Sequence, residues 1–354
     1  MEHARGLAGL SRADESRFGA KSANLGELIG AGIAVPPGFA LSIDAFGAFL
    51  EESGLGALVA ATAAVAPGDL DAIGAVSRSI AEAMRSARFP ESVRRAVSRG
   101  YEQLAVATGT QSPPVAVRSS AVGEDSEDAT FAGQQETYLW VRGTEHVCDA
   151  VRDCWVSLYS APAISYRSRL GRSVAAPAMG VTVQLMVDAK VSGVMFTCSP
   201  LTGDPSVVAI NASWGLGIAV VGGEVTPDDF LVSKVTGEVL REQVNHKDVQ
   251  YVPDERGRGA VRGEVPAERR DVPCLDADAL AGLVELGRRV ERHFGGHQDV
   301  EWAIARAGSG PDGAFVVQAR PVTGIARPKP AAPPASALAL VMSTFGVGRA
   351  DGSQ

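Results

Sequence analysis

The stretch that decides the fold is VAVRSSAVGEDSEDATFAGQQET, residues 115–137. It opens with three small apolar residues that predict a short strand, and Arg118 follows them directly. A serine pair comes next, and four acids lie between residues 124 and 128. Neither a core strand nor an ordinary surface loop requires this combination, so Arg118 is a candidate for a specific contact at the end of its strand.

The composition is that of a globular protein with room for two domains. The chain has 354 residues, of which 45% are hydrophobic and 21% are charged. Its formal net charge is -8, so no nucleic-acid partner is expected, because phosphate backbones require a broad basic face. Arg118 is therefore expected to act locally.

The sequence also predicts a cytoplasmic protein without a membrane segment. Residues 1–20 contain no apolar run typical of a signal peptide, and no apolar stretch reaches the roughly 18 residues of a spanning helix. No CxxC pair suggests a zinc site. Free thiols in a reducing compartment are expected at all four cysteines, which are Cys148, Cys154, Cys198 and Cys274.

The first third of the chain reads as mostly helical, and strands dominate the rest. Helices are predicted at 21–31, at 43–52 with Ser42 as the N-cap, across 69–107 with a break at Pro90, at 145–170 and at 278–294. Strands of an antiparallel or mixed sheet are predicted at 115–117, 181–187, 192–197, 207–211, 230–234, 300–305 and 315–320.

The last two strands, VEWAIA and FVVQAR, are predicted to form a β-hairpin with Glu301 opposite Gln318. Period-2 alternation then places Glu301, Gln318 and Arg320 on one face. Oxygen donors suit Mg²⁺ and a guanidinium suits phosphate. From the hairpin alone, a polar outer face with one exposed salt bridge is the favoured interpretation.

Two further features, Lys21 and a glycine-rich segment, could belong to a nucleotide site, but each also has a simpler explanation. Lys21 lies where a helix begins, which creates a local anion site, although an ordinary surface lysine fits as well. The segment WGLG, residues 214–217, is glycine-rich but does not match GxGxxG, and a tight loop explains it. The P-loop pattern GxxxxGK[ST] is absent from the sequence.

Taken together, six ordered stretches between residues 19 and 323 resemble one family. They are GAKSANLGELIGAGIAVPPGFAL, VAVRSSAVGEDSEDATFAGQQET, VTVQLMV, SGVMFT, NASWGLG with PDDFLVSK, and DVEWAIA with VVQARPVT. This pattern is similar to the N-terminal ATP-binding domain of phosphoenolpyruvate synthase and pyruvate phosphate dikinase, which also occurs in rifampicin phosphotransferase and in the small subunit of phenylphosphate synthase.

The resemblance implies an α+β fold of the ATP-grasp type, with two lobes that clamp ATP between β-sheets. We expect a helix-rich N-terminal lobe over residues 1–180 with the phosphate-binding loop. A C-terminal lobe with the adenine strand and the metal-binding hairpin is expected over 181–324. A Pro/Ala linker and a flexible tail are expected over 325–354.

The resemblance also implies the residues of an ATP and Mg²⁺ site. Arg118, Glu301 and Arg320 are the expected catalytic residues. Glu301 and Gln318 are the expected metal ligands, and Gly133 is expected to allow close approach of the backbone to the nucleotide. The complete set of expected nucleotide contacts is Lys21, Arg118, Gly133, Thr137, Gln184, Met186, Val187, Glu301, Gln318 and Arg320.

Two departures from the family pattern do not touch these residues. Cys198-Ser199-Pro200 follows the MFT stretch where the family often has an acid, and the loop after Arg118 reads AVGED where the family often has ATAED. The second change bears on how that loop closes. We assign no site role to its acids, because carboxylates beside a polyphosphate would repel it.

In this family ATP is split to AMP and phosphate, and a histidine on a swivelling domain relays the middle phosphoryl group. None of the five histidines lies in the family's Thr-Ser-His setting. We therefore expect an ATP-binding subunit whose partner domain or subunit carries that histidine and a site for a small acceptor, such as a phenolic compound or pyruvate. A truncated relative of phosphoenolpyruvate synthase or rifampicin phosphotransferase, and a non-catalytic nucleotide-sensing module, are the alternatives.

Overall fold

The protein is described by a computed structural model that covers residues 2–66, 68–121, 136–169, 179–254, 259–306 and 313–322. The helices are α1 Glu15–Phe18, α2 Ala20–Gly30, α3 Ile43–Glu52, α4 Gly56–Ala60, α5 Leu70–Ser86, α6 Glu91–Thr108, α7 Thr144–Ser157, α8 Ala161–Arg169, α9 Ile218–Val221 and α10 Ala277–Phe294. Short 3-10 turns lie at Leu7–Gly9, Arg12–Asp14, Ala61–Ala64 and Ala267–Arg269.

Most of the strands lie in the second half of the chain. The strands are β1 Ala4–Gly6, β2 Gly38–Leu41, β3 Val115–Ala121, β4 Thr137–Val141, β5 Met179–Leu185, β6 Ala189–Phe196, β7 Val207–Trp214, β8 Asp228–Ser233, β9 Val239–Gln243, β10 Val249–Pro253, β11 Ala260–Glu264, β12 Gln298–Ala305 and β13 Phe315–Pro321. The predicted α+β class is therefore confirmed.

Two helices begin at a carboxylate that caps them, and the structure differs from the sequence expectation at Ser42 and Pro90. The carboxylates of Asp69 and Asp276 accept from the backbone N–H groups three residues on, so they cap α5 and α10. Ser42 precedes α3 as predicted, but its hydroxyl does not cap the helix and donates instead to the carbonyl of Glu2. Pro90 stands one position before α6 in an extended conformation, rather than within its first turn.

The first sheet contains five antiparallel strands in the order β1-β2-β5-β3-β4. One face packs against the helices between α3 and α8, and the aromatic side chains of Phe46, Phe49, Phe89 and Trp155 form the centre of that core. The β5 strand lies between β2 and β3, and all of its residues except Leu185 are buried.

The second sheet contains six antiparallel strands in the order β13-β12-β6-β7-β8-β9. The amphipathic helix α10 covers one face with Leu283, Leu286 and Val290. Part of the same core comes from the start of the chain, since Leu25 and Leu28 of α2 pack there too. A separate two-stranded ribbon joins β10 to β11.

The sheets divide the chain differently from the expected boundary at residues 180 and 181. The β5 strand belongs to the first sheet, and the chain enters the second sheet only at Ala189. The two cores do not separate at one point either, because the α2 segment of the N-terminal part packs on the second sheet. We call the two sheets with their helices the first and second lobes below.

Two expectations concern other parts of the chain. The predicted linker and tail at 325–354 lie outside the described residues. Within the described ranges, the structure has no helix that is both long and apolar enough to cross a lipid bilayer.

Candidate functional site

A cleft of about 400 Å³ lies between the two sheets. Its walls come from β3, β4 and β5 of the first lobe and from β6, β12, β13 and the α9 region of the second lobe. The lining residues are Ala116, Arg118, Glu136, Thr137, Leu139, Gln184, Leu185, Met186, Val187, Ala189, Ser192, Gly193, Leu216, Gly217, Ile218, Val221, Gly222, Glu301, Trp302, Ala303 and Val317.

Arg118 spans this cleft from the first lobe to the second. Its Nη2 donates to Glu301 Oε2 at 3.0 Å and to Gln318 Oε1 at 2.9 Å. Its Nη1 donates to the Val317 carbonyl oxygen at 2.9 Å. The Arg118 side chain is only 11% exposed, so these charge-assisted bonds lie in surroundings where screening by water is reduced.

The C-terminal hairpin brings Glu301 and Gln318 together as predicted. Strands β12 and β13 are antiparallel, and Glu301 is the register partner of Gln318. A bulge follows Glu301 and shifts the register before Trp302. Because Gln318 accepts from the same Arg118 nitrogen as Glu301, their two oxygens face one common point.

Arg320 lies on the same hairpin face and has a carboxylate partner that sequence reasoning missed. Its Nε donates to Asp299 Oδ2 at 2.9 Å. Burial raises the pKa of Asp299 above its ordinary value, and the charge of Arg320 partly opposes that rise. The missed signal was the register itself, since pairing Glu301 with Gln318 places Asp299 opposite Arg320. Arg320 is held at the hairpin edge by this contact, and it is not among the residues that line the cleft.

Lys21 is buried at the start of α2, where its Nζ donates to the carbonyl oxygen of Ser119 at 2.9 Å. Gly19 allows this close contact, because its φ is +81° and a Cβ there would lie 2.1 Å from the Ser120 carbonyl oxygen. The backbone N–H of Ser22 also donates to the hydroxyl of Ser120. The helix start is thereby fixed at the end of β3, one residue from Arg118.

Gln184, Met186 and Val187 line the first-lobe side of the cleft, on and directly after β5, which pairs with β3. Gln184 is almost fully buried, and its amide donates to the Pro36 carbonyl at 3.4 Å. The backbone N–H of Met186 donates to the carbonyl oxygen of Pro114 at 2.9 Å. Met186 can therefore offer a nucleotide its carbonyl and side chain, while its amide maintains the sheet.

The glycine-rich segment WGLG also contributes to the cleft, although the sequence suggested only a tight loop. Leu216 lines the wall, and its N–H donates to the Tyr251 carbonyl at 2.9 Å. Gly215 permits this with a φ of +76°, since a Cβ there would lie 2.4 Å from the same oxygen. Together with Ala189, Ala303 and the buried Trp140, Leu216 forms a small apolar cluster that closes this end of the cleft.

Thr137 is an exposed residue at the start of β4 that lines the cleft, where its hydroxyl can reach a ligand. Gly133 and the acids Glu124, Asp125, Glu127 and Asp128 lie outside the described residues. The predicted role of Gly133 therefore remains a prediction.

The donor set at the hairpin fits a hard divalent cation. A carboxylate and an amide oxygen converge on one point, and oxygen ligands are those that Mg²⁺ prefers. No cluster of three or more His, Cys, Asp or Glu side chains suited to a metal is present in the described part of the chain. The two protein oxygens are thus consistent with a cation whose other ligands are phosphate oxygens and water.

Comparison with known proteins identifies the family of this chain. A family profile described as "Pyruvate phosphate dikinase, AMP/ATP-binding domain" matches residues 15–337. The chain belongs to this family. The resemblance inferred from the six sequence stretches is confirmed, and the AMP/ATP-binding description agrees with a cleft lined by both lobes.

Curated relatives carry the domain as part of longer chains. A probable phosphoenolpyruvate synthase of Methanothermobacter thermautotrophicus is 41% identical over 316 residues, which cover 89% of this chain and 45% of the relative. The phosphoenolpyruvate synthase of Aeropyrum pernix is 39% identical, covering 88% of this chain and 41% of the relative. The prodigiosin synthesizing transferase PigC of Serratia marcescens is 37% identical, covering 91% and 33%. The chain therefore spans less than half the length of these relatives.

Proposed function

We propose that this chain is the ATP-binding part of a dikinase-type phosphotransferase, which binds ATP with Mg²⁺ in the cleft between its lobes. The observation that carries the proposal is Arg118, whose guanidinium reaches from β3 to both oxygen donors on the C-terminal hairpin. An arginine and two oxygen ligands at one point form the recurring arrangement for holding a metal-bound polyphosphate.

All of the predicted site residues except Gln184 have a role in this proposal. The apolar end of the cleft, with Met186, Val187 and Leu216, excludes water and accepts the adenine ring. Arg118 binds phosphate oxygens at the centre, and Arg320, oriented by Asp299, binds them further along the hairpin. Mg²⁺ held by Glu301 and Gln318 would neutralise charge that develops on the phosphates.

Lys21 and Thr137 act at the first-lobe side of the polyphosphate. The Lys21 ammonium is fixed beside the end of β3, and it contributes a positive charge where the phosphate-binding loop begins. Thr137 begins the strand that follows that loop, and Gly133 within it would permit close approach of the backbone. Binding ATP in this frame leaves the phosphates directed away from the apolar end of the cleft.

The phosphorylatable histidine is proposed to lie on a separate domain or subunit. All five histidines of this chain are in described segments, and none lines the cleft. His246, His293 and His297 are next to Asp271, Glu27 and Glu291, respectively. A histidine fixed beside α10 cannot visit two sites in turn, whereas a swivelling domain can.

The final acceptor is proposed to be a small molecule such as pyruvate or a phenolic compound, bound outside this chain. The relatives named phosphoenolpyruvate synthase favour pyruvate. The relative named for prodigiosin synthesis indicates that the same domain also occurs in a transferase of another name. A stand-alone relative of rifampicin phosphotransferase is the alternative, and the identity of the neighbouring domain or subunit discriminates between these acceptors.

Calorimetric titration tests the nucleotide site directly. We expect Mg²⁺-dependent ATP binding by the wild-type chain. Each of Lys21→Ala, Arg118→Ala and Arg320→Ala is expected to weaken it by about 1.5–3 kcal/mol, because each removes a hydrogen bond to a charged group. Arg85→Ala, which removes an exposed arginine paired with Asp153 far from the hairpin, is the matched control. Wild-type affinity in all three site variants would exclude this site.

A labelling experiment tests the need for a separate histidine. The pure chain is incubated with β-labelled ATP and Mg²⁺, and acid-labile label on the protein is measured. We expect no stoichiometric label, and we expect AMP and phosphate only after addition of a partner with a mobile histidine. Stoichiometric label that is lost in His293→Ala or His297→Ala would show that the relay lies within this chain.

A further inference from the structure

We infer that Arg118 occupies the metal position of the unliganded site and keeps a divalent cation out until the nucleotide arrives. This inference concerns the order in which ligands can bind, and it rests on the metal-bound nucleotide site proposed above. It gives Arg118 a second role besides phosphate binding. In this role, the Arg118 guanidinium binds the two metal ligands, Glu301 and Gln318, before the metal does.

The geometry of the three side chains carries the inference. A single nitrogen, Arg118 Nη2, lies 3.0 Å from Glu301 Oε2 and 2.9 Å from Gln318 Oε1. Mg²⁺ bound to oxygen requires distances of about 2.0–2.1 Å, so a cation shared by these oxygens would lie within contact distance of the same nitrogen. The guanidinium and the metal therefore compete for one position.

Entry of a metal alone requires Arg118 to leave three acceptors. These are the Glu301 carboxylate, the Gln318 amide oxygen and the Val317 carbonyl, all bound at 2.9–3.0 Å. A displaced guanidinium in this half-buried place gains no compensating partner from the metal, which carries the same sign of charge. A polyphosphate supplies that partner, because its oxygens accept from both arms of a guanidinium.

A further observation indicates that the contacts of Arg118 are incomplete without a ligand. Its Nε is buried and has no hydrogen-bond acceptor among the described residues. A buried donor without an acceptor is costly, and a phosphate oxygen would satisfy it. Movement of the guanidinium from the hairpin oxygens to the phosphates would thus satisfy Nε and release both metal ligands in one step.

The test measures metal binding without nucleotide, using Mn²⁺ alone and electron paramagnetic resonance of the free ion. We expect weak binding to the wild-type chain. Arg118→Met is expected to create a saturable site with at least about tenfold tighter affinity, within the range typical of coupling between sites. Glu301→Gln in the Arg118→Met background is expected to remove that site.

Two matched variants separate occupancy of the metal position from a general change in charge. Arg306→Met removes one positive charge just after β12, the strand that carries Glu301, and its Nε donates to Asp188 rather than to Glu301 or Gln318. We expect it to leave Mn²⁺ binding at the wild-type level. Arg118→Gln loses the charge but keeps a donor for the Val317 carbonyl, and we expect it to bind Mn²⁺ as Arg118→Met does. If circular dichroism shows that one of the two variants does not fold, the other still tests the inference.

Three outcomes would overturn the inference. They are equal Mn²⁺ affinity in the wild type and both Arg118 variants, a tight Glu301-dependent Mn²⁺ site in the wild type without nucleotide, and an equal gain in Arg306→Met. ATP affinity is measured on the same proteins. Loss of nucleotide binding in the Arg118 variants together with unchanged Mn²⁺ binding would sink the inference and leave the proposed function standing, whereas a wild type that does not bind ATP would sink the function itself.

Discussion

At the scale of single residues, Glu301 connects the architecture to the proposed chemistry. Its carboxylate is 24% exposed, bonded to Arg118 and aligned with Gln318. Glu301→Gln should preserve the fold, because the amide oxygen can still accept from Arg118. Turnover with the histidine-bearing partner should fall by about two orders of magnitude or more, since a neutral amide is a poorer Mg²⁺ ligand. Near-normal turnover at millimolar Mg²⁺ would reduce Glu301 to a surface strand residue.

A second single-residue feature lies in the second lobe, where Asp228 and Lys247 form a fully buried ion pair. Both side chains are 0% exposed, and their atoms are 2.5 Å apart. The Asp228 carboxylate also accepts from the N–H groups of Asn245 and Cys274, both at 2.9 Å. This pair ties the segment before β10, which positions Leu216 through Tyr251, to the core of the second sheet.

Removing one member of that pair should be strongly destabilising. Asp228→Asn or Lys247→Met leaves the other charge buried without its partner, and we expect a loss of about 3–5 kcal/mol in the free energy of unfolding. Urea denaturation measures it. Glu91→Gln, which breaks the exposed pair with Arg95, is the control and should cost about 0.3–0.5 kcal/mol. Comparable losses in all three variants would show that the burial of Asp228 and Lys247 does not matter.

At the scale of elements, two helical glycines are expected to respond to the same substitution with opposite signs. Gly100 in α6 faces Phe39, and a Cβ there would lie 2.7 Å from the ring, whereas a Cβ at Gly47 in α3 meets nothing within 4 Å. Gly100→Ala should destabilise by about 1–3 kcal/mol through overpacking. Gly47→Ala should stabilise by about 0.5–1 kcal/mol through helix propensity. Thermal and urea unfolding of both variants measure the change in the free energy of unfolding. Changes of the same sign in the two variants would contradict the prediction.

The C-terminal hairpin shows how far sequence reasoning reaches at this scale. A turn-rich segment between two alternating strands sufficed to predict that Glu301 pairs with Gln318. The same register places Asp299 opposite Arg320, but the predicted strand began at Val300 and therefore left Asp299 out, whereas β12 begins at Gln298. The prediction that Ser42 caps α3 was wrong for another reason. An N-cap residue can donate its hydroxyl to a distant carbonyl, and the sequence contains no information on where Glu2 lies.

At the scale of the whole molecule, four buried thiols couple stability to alkaline pH. All four cysteines are free and buried. Burial raises the pKa of the Cys148 thiol to about 12 and raises that of the others as well. An unfolded thiol titrates near about 8.5, so above that pH the unfolded state releases protons that the folded state retains. The stabilisation is complete below the unfolded pKa and declines as the pH rises toward the folded pKa.

The free energy of unfolding should therefore fall between pH 8.5 and pH 10, by up to about 1.4 kcal/mol per pH unit for each thiol. Urea titrations at several pH values measure this slope. A double variant with Cys148→Ala and Cys154→Ala should show a flatter slope, whatever its stability at pH 7. The same slope in wild type and variant would assign the alkaline loss to other groups.

The division of the molecule into lobes was the part that the sequence could not predict. Periodicity located β5 and α2 within two residues, but it gives no partner for a buried strand or for the apolar side of a helix. The β5 strand pairs with segments that lie more than 55 and 135 residues earlier in the chain, as Val183 pairs with Val117 and Phe39. The α2 helix packs on strands far ahead of it. Such placements follow from the burial available in the assembled fold.

The central position of β5 also bears on synthesis of the chain from its N-terminus. The ribosome completes β2 and β3 well before β5, and β5 is the strand that both of them pair with in the finished sheet. A nascent chain that ends before residue 185 therefore has two apolar strands whose inner edges are open to other chains. At about 5–20 residues per second, the interval between completion of β3 and completion of β5 lasts several seconds. During this interval, the two open edges can pair with other chains, and a chaperone that covers them would prevent aggregation.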